Sequence, residues 1–326
     1  MSQGPIPSDS SSNAPGGWER GVLEKVALAS LQEQRRVRRW GIFFKLLGFI
    51  YLFALLFVAL GWLGRPDGIS PGKHTAVVEI RGVIAADQLG SADSVTAGLK
   101  EAFKDKNTQG VVLRINSPGG SPVQAGQIND EIRRLRGKYP AIPLYAVVED
   151  VCASGGYYVA VAADKIFVNE SSIVGSIGVL MDGFGFSGAM EKLGVERRLF
   201  TAGENKGFLD PFSPVSPEQR EHAQKMLSAI HAQFIKVVRE GRGERLKDSP
   251  DLFSGLMWTG EKSVELGLAD GLGSVEYVAR EIIKAEVLVN FTPRENIAER
   301  VAKRFGAAMA DALVQAGVSS TGGQLR

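Results

Sequence analysis

Cysteine is almost missing from this chain: Cys152 stands alone among 326 residues. A single thiol excludes an internal disulfide framework and a thiolate-rich metal centre, and it leaves the redox compartment unreadable. Histidine is nearly as scarce. The three histidines, His74, His222 and His231, show no metal-ligand spacing, so a metal enzyme is not expected. An excess of charge is missing too, with 38 basic residues against 36 acidic ones. No nucleic-acid footprint emerges from such a balance. Nor does the sequence show an internal repeat.

What the chain does have is one long apolar run. Residues 1–17, MSQGPIPSDSSSNAPGG, have almost nothing to bury and are expected to be disordered. With the charged helical stretch that follows, they make a juxtamembrane segment over 1–41. Ile42 to Gly64 then reads IFFKLLGFIYLFALLFVALGWLG, with Lys45 its one charge. A helix needs about 20 apolar residues to cross a bilayer, and a buried core helix is rarely apolar on every side. A cleaved signal peptide fits poorly, because the run is long, starts late and lacks a small-x-small cleavage pattern. Residues 42–64 therefore read as a retained transmembrane anchor.

Its flanks set its direction. Arg35, Arg36, Arg38, Arg39 and Lys45 crowd the N-terminal side, whereas Arg65 and Lys73 follow the exit. The positive-inside bias places the N-terminus in the cytoplasm and everything after residue 65 outside it. In a bacterium that is the periplasmic, extracytoplasmic face of the inner membrane.

After a linker over 65–74 the pattern turns globular. TAVVEIRGVI, GVVLRINS, PLYAVVED and KIFVNE read as strands; ADSVTAGLKEAFKD, SPVQAGQINDEIRRLRGK and SGGYYVAVAA read as helices between them. This alternation predicts an α/β domain with a largely parallel sheet over 75–285. A Pro/Gly-rich loop, GENKGFLDPFSPVSP, precedes a helix from about Pro217 to Glu240. Helical patterns at TGEKSVELGL and SVEYVAREIIKAE complete the domain. Residues 286–326 form a C-terminal helix and tail, in which Ile297, Val301, Phe305, Met309 and Leu313 share a face.

Three features of the domain bear on chemistry. Ser154, in VCASGGYYVA, follows a strand and opens a helix, where unpaired N–H groups favour negative charge. Such a serine is either an exposed nucleophile or simply an N-cap. LRINSPGGSP places two glycines at another strand end, where they either present an amide to a carbonyl oxygen or merely turn the chain. A serine nucleophile also needs a base. His74 comes soon after the apolar run, and His222 and His231 lie on a helix full of Glu, Gln and Lys. A lysine base must lose its proton in a dry or cation-rich setting. Lys206 differs from the other lysines because glycines, phenylalanines and prolines flank it. Cys152 reads as a small buried thiol.

INSPGG, CASGGYYVA, GSIGV at Gly175–Val179 and the lysine in AGENKGFLDPFSP together resemble the signal peptide peptidase A (protease IV-like) family of membrane-anchored serine peptidases. The likeness runs from about Thr75 to about Ala285 and matches the short, unduplicated form. It implies a Clp-protease/crotonase-like fold built from ββα units and a Ser–Lys dyad without metal or organic cofactor. The nucleophile falls on Ser154, the general base on Lys206, and the serine that helps hold the lysine on Ser176. The oxyanion donors fall on Gly155 and Gly120, with Gly119 as the substitute for the latter. The resemblance further implies a homo-oligomeric ring whose serine and lysine come from adjacent subunits, with signal peptides as substrates. Two other functions compete with this one: a crotonase-like acyl-CoA enzyme and a non-catalytic, ring-forming membrane scaffold.

Overall fold

The computed structural model describes residues 17–59 and 72–293. Helix α1 (Gly17–Ala59) runs without a break, so the charged stretch and the apolar run are one element. Its Arg35–Phe57 part spans 23 residues with a mean hydropathy of 2.0, long and apolar enough to cross a membrane. Residues 60–64 of the expected anchor lie outside the described residues. So does the stretch from Ile297 to Leu313.

The remaining elements build a sheet with helices. In chain order they are β1 (His74–Arg81), α2 (Ala92–Lys104), β2 (Thr108–Ser117), α3 (Pro122–Lys138), β3 (Leu144–Ala153), α4 (Gly155–Ala160), β4 (Lys165–Val168) and β5 (Ile173–Gly175). An arm follows that carries α5 (Ser187–Leu193). It leads into α6 (Pro217–Arg242), β6 (Met257–Thr259), α7 (Gly260–Glu265), β7 (Gly271–Leu272), α8 (Val275–Tyr277) and β8 (Leu288–Asn290). The expected helix over SVEYVAREIIKAE is α8 continued by a π-helical turn, Val278–Ile283.

The sheet order is β6-β5-β3-β2-β1-β8, with β4 beside β3 and β7 beside β4. Every pairing is parallel except that of β5 with β6. The parallel centre explains the sequence pattern, because strands covered on both faces read as continuous apolar runs. Val111, Val112, Leu113 and Ile115 of β2 are all fully buried. Helix α2 buries Val95, Leu99, Ala102 and Phe103 on its inner face; fully burying such a large side chain contributes about 1.5–3 kcal/mol. Ser91, Ser121 and Ser216 each accept a backbone N–H at a helix start, and Ser216 forms a complete capping box with Gln219.

Two departures from expectation matter for the site. Strand β3 runs on to Ala153, so VCA is strand and the turn falls on Ser154 itself. The first half of β3 pairs with β4 and the second half with β5. Helix α4 stops at Ala160, short of the expected helix. Arg136 holds the Ala162 carbonyl and the Asp164 carboxylate there, which turns the chain into β4. Helix α6 is rooted differently. The guanidinium of Arg242, 1% exposed, makes two hydrogen bonds with Asp270, at 2.7 and 3.0 Å.

Candidate active site

Ser117 of β2 lies beside Cys152 of β3 in the sheet register. The two chain ends that leave these strands, Pro118–Gly120 and Ser154–Gly155, are therefore neighbours at one end of the sheet. Ligands of open α/β sheets bind at the carboxyl ends of strands, and this corner is such a place.

Ser154 has φ 51° and ψ −122°. A non-glycine residue rarely adopts this conformation, which costs about 1–3 kcal/mol. Its neighbours hold it there: the Ser154 N–H donates to Gly175 O at 2.8 Å, and its carbonyl accepts from Tyr158 N at 2.9 Å. The hydroxyl makes no capping hydrogen bond to α4. An N-cap role therefore does not account for this serine. Helix α4 is fixed from behind: the buried Tyr157 hydroxyl donates to Leu268 O at 2.8 Å, and Asn129 Nδ2 donates to Tyr158 O at 2.7 Å.

The glycines fit this corner for steric reasons. Gly119 has φ +100°, and a Cβ on it would lie 2.6 Å from Gly155 N and 2.8 Å from Ser154 Cβ. Gly120 has φ +146°, and a Cβ there would lie 2.2 Å from Ile84 O. Neither position accepts another residue without moving the backbone. Ile84 and Gly120 form a parallel bridge, in which Ile84 N–H donates to Gly119 O at 2.8 Å and Ser121 N–H donates to Ile84 O at 2.7 Å. In such a bridge the middle residue turns its own N–H away from the partner strand. Gly120 N consequently faces Gly155, 3.2 Å from where a Gly155 Cβ would stand. Neither Gly120 N–H nor Gly155 N–H meets a protein acceptor among the described residues. The N–H of Gly119, by contrast, is taken by Ser117 Oγ at 3.1 Å.

A cavity of about 510 Å³ opens at these groups. Gly120, Ser154, Gly155 and Ser176 line it together with an apolar wall that includes Tyr158 and Phe234, whose rings pack at 5.2 Å. Ser176 shares the φ of 51° and anchors its N–H on Leu256 O at 2.8 Å. Next to it, His231 Nε2 lies 3.1 Å from Ile177 O. A larger cavity, about 790 Å³, lies between Arg114, Glu149 and Glu276. Of its three serines, Ser172 donates to Glu149 O, Ser274 accepts from Tyr277 N, and Ser171 lies in a turn with its N–H on Asn169 Oδ1 at 3.0 Å.

The structure thus brings Ser154, Gly155, Gly120 and Ser176 to one cavity, but it does not bring Lys206 there. Lys206 is exposed in the arm between β5 and α6, with its own N–H on Gly203 O at 3.1 Å. The histidines have other partners: His74 Nε2 sits 3.3 Å from Thr108 Oγ1, and the His222 ring meets Phe208 edge-on. Cys152 is fully buried, and burial pushes its thiol far up, so it is no nucleophile. No cluster of metal-ligating residues occurs among the described residues. Sequence reasoning missed Ser117, Ile84 and the aromatic wall; Ser117 was legible only as part of a glycine turn.

The profile of peptidase family S49 matches residues 138–289. The chain is 51% identical over 181 residues to a Brucella melitensis protein named "Na(+)/H(+) antiporter NhaA", which covers 55% of this chain and 24% of that protein. It is 34% identical over 194 residues to "Putative signal peptide peptidase SppA" of Enterococcus faecium, covering 60% of this chain and 56% of the relative. A "Putative protease" of Synechocystis sp. is 31% identical over 211 residues, 65% of this chain and 74% of the relative. The chain thus spans about a quarter of the antiporter-named relative and just over half of the SppA-named one. Among solved structures, a ClpP1 mutant from Listeria monocytogenes aligns over 61% of this chain and 91% of its own, with TM-score 0.38 and 15% identity. The S49 profile and the protease relative matched over 74% of its length lead to one conclusion: this chain belongs to the SppA/protease IV-like family of serine peptidases.

Proposed function

We propose that this protein is a membrane-anchored endopeptidase that cleaves apolar peptides, signal peptides among them, with a Ser–Lys dyad. The observation that carries the reading is Ser154 itself, held in a strained backbone conformation at the mouth of an apolar cavity beside two unengaged amides. Strain of this kind persists where a function requires the group to be presented.

In this mechanism Ser154 Oγ attacks the scissile carbonyl carbon while Lys206 accepts its proton. The carbonyl oxygen gains the electron pair of the C=O bond and sits between Gly120 N–H and Gly155 N–H; such donors contribute about 2.7–4 kcal/mol each in the transition state. Collapse expels the amine, which takes the proton from Lys206 and leaves an acyl-serine. Water then attacks the ester with Lys206 again as base. Ser176, at the cavity rim, orients the lysine amine.

Lys206 reaches the cavity from a second copy of the chain. The arm that bears it is apolar and open: Leu180 is 79% exposed, Phe184 82% and Phe200 91%. Exposed apolar surface of this extent marks an interface. A ring of copies would cover these residues and supply each serine with a neighbour's lysine. Helix α1 anchors the assembly, and its basic flank at Arg35, Arg36, Arg38 and Arg39 puts the N-terminus in the cytoplasm and the peptidase outside. Tethering by α1 keeps the peptidase on the membrane in which cleaved signal peptides remain.

The test is cleavage of an apolar signal-peptide mimic by the full chain, by Ser154→Ala and by Lys206→Ala. Loss of cleavage in both variants, with assembly intact, supports the reading. Full activity of Lys206→Ala would remove it as the base. A wild-type assembly that cleaves nothing would favour the scaffold.

A further inference from the structure

We propose that Ser117 is a positioning residue for the oxyanion donor of Gly120, an inference that rests on the reading of Ser154 as nucleophile. Ser117 is the last residue of β2 and is fully buried. Its hydroxyl accepts the N–H of Gly119 at 3.1 Å across Pro118. Two consecutive residues with φ of +100° and +146° follow, both glycines. Such a pair is the most freely rotating backbone a chain can have, so the direction of the Gly120 amide must be set from outside.

Three bonds set it. Ser117 Oγ holds the Gly119 N–H, Ile84 N–H holds the Gly119 carbonyl, and Ile84 O holds the Ser121 N–H. Only Ser117 contributes a side chain; the other two are backbone bonds that any residue would supply. With all three made, the remaining N–H of the turn, that of Gly120, faces Gly155. Without the hydroxyl, Gly119 N–H is a buried donor lacking a partner, a costly state. The turn can relieve it by rotating the Gly119 amide toward the cavity, which also rotates the Gly119–Gly120 peptide.

The same residue touches the other donor's element. A Cβ on Gly156 would stand 3.0 Å from Ser117 O and 3.4 Å from Ser117 Cβ. The second glycine of the Ser-Gly-Gly motif thus lets α4 pack directly on Ser117. One buried serine fixes the turn that carries Gly120 and abuts the helix that begins with Gly155. The spacing between the two donors depends on it.

The experiment compares the full chain with Ser117→Ala, the conservative Ser117→Cys, and Ser154→Ala. Steady-state cleavage and thermal unfolding are measured for each. A donor displaced by about 1 Å costs on the order of 10- to 100-fold in kcat. We expect that loss in Ser117→Ala, with KM within about twofold, because substrate binding does not use the oxyanion donors. Ser117→Cys, a weaker and slightly larger acceptor, falls between alanine and wild type in kcat. Hydrogen exchange at the Gly119 amide rises in the same order.

The proposal is overturned if Ser117→Ala keeps kcat within twofold of wild type. It is also overturned if the loss lies in KM, or if Ser117→Cys falls as far as Ser117→Ala. Those results would leave Ser117 a packing residue. Should Ser154→Ala cleave as well as wild type, the nucleophile assignment fails first. That failure is visible without the Ser117 variants and takes this proposal with it.

Discussion

The corner around Ser154 and the arm around Lys206 are built on opposite principles. In the corner, side chains and backbone are locked by the protein's own core: Tyr157, Cys152, Ser117 and Gly155 are buried, and Gly119 and Gly120 are required by contacts closer than a Cβ allows. Beyond Gly178 the bonds that hold the arm, among the described residues, run within it or to the first turns of α6. Arg197 pairs with Asp210 at 3.0 Å, Phe186 stacks on Phe212 at 5.6 Å, and Asn205 meets Gln219, while the large apolar residues face outward. Among the described residues the corner is assembled within one chain, whereas the apolar side chains Leu180, Phe184 and Phe200 of the arm stay exposed. In the proposed ring a second copy's arm would complete the site.

The strongest way to break this contrast is at its centre. Ser154→Ala is expected to lower kcat/KM by at least about 10⁴-fold, the scale seen when a nucleophile of a catalytic unit is removed. Melting temperature should rise or stay level, since alanine loses no capping bond. A cleavage assay beside calorimetry checks both.

Asp270→Asn attacks the root of α6, and through it the base of the arm. Breaking a buried pair by removing one partner costs about 3–5 kcal/mol, readable by denaturant unfolding. The pH dependence has a definite sign. Burial alone would raise the Asp270 carboxyl, but hydrogen bonding and charge from Arg242, with Ile166 N–H and Arg245, outweigh it and hold the group below its ordinary value. Its stabilisation is complete above the ordinary carboxyl value and is lost as pH falls through the lowered one. The gap between wild type and Asp270→Asn should therefore be constant from neutral pH down to about pH 4 and close below it.

Gly119→Ala sharpens the contrast from the other side. The added carbon meets Gly155 N and Ser154 Cβ within 2.8 Å, so the corner must shift. A 10²- to 10³-fold fall in kcat is expected, roughly the cost of one oxyanion donor, with a stability loss of about 1–3 kcal/mol. Phe200→Ser in the arm should do the reverse. At 91% exposure Phe200 supports no fold within its own chain, so the change leaves a dilute monomer within about 0.5 kcal/mol of wild type. Sedimentation should show weakened assembly, with activity falling in step.

Much of the corner was legible in the sequence, because its logic is local. A strand, a serine and two glycines occupy consecutive positions, and the long apolar runs announce β1 to β4 unaided. The short strands were not legible. β5, β6, β7 and β8 are two or three residues long, too short for any periodicity. Ser176 reaches the cavity only because β5 is wedged between β3 and β6. Arg242 carries no signal in the sequence; its partner lies 28 residues away and is found only by folding. The hydroxyl of Ser117 was hidden inside a turn whose glycines drew the attention. Lys206 differed in kind, since in the structure of one chain it is exposed and does not line the cavity that holds Ser154.

In the proposed enzyme, one copy's corner and another copy's arm make the active site. Mixing Ser154→Ala and Lys206→Ala chains, dissociating them and letting them reassemble tests it most directly, with cleavage of an apolar peptide as the readout. With random assembly, intact serines meet intact lysines at about one site in four, so about a quarter of wild-type activity should return. If the mixture stays as inactive as its two components although mixed assemblies form, serine and lysine belong to one chain and the account is wrong.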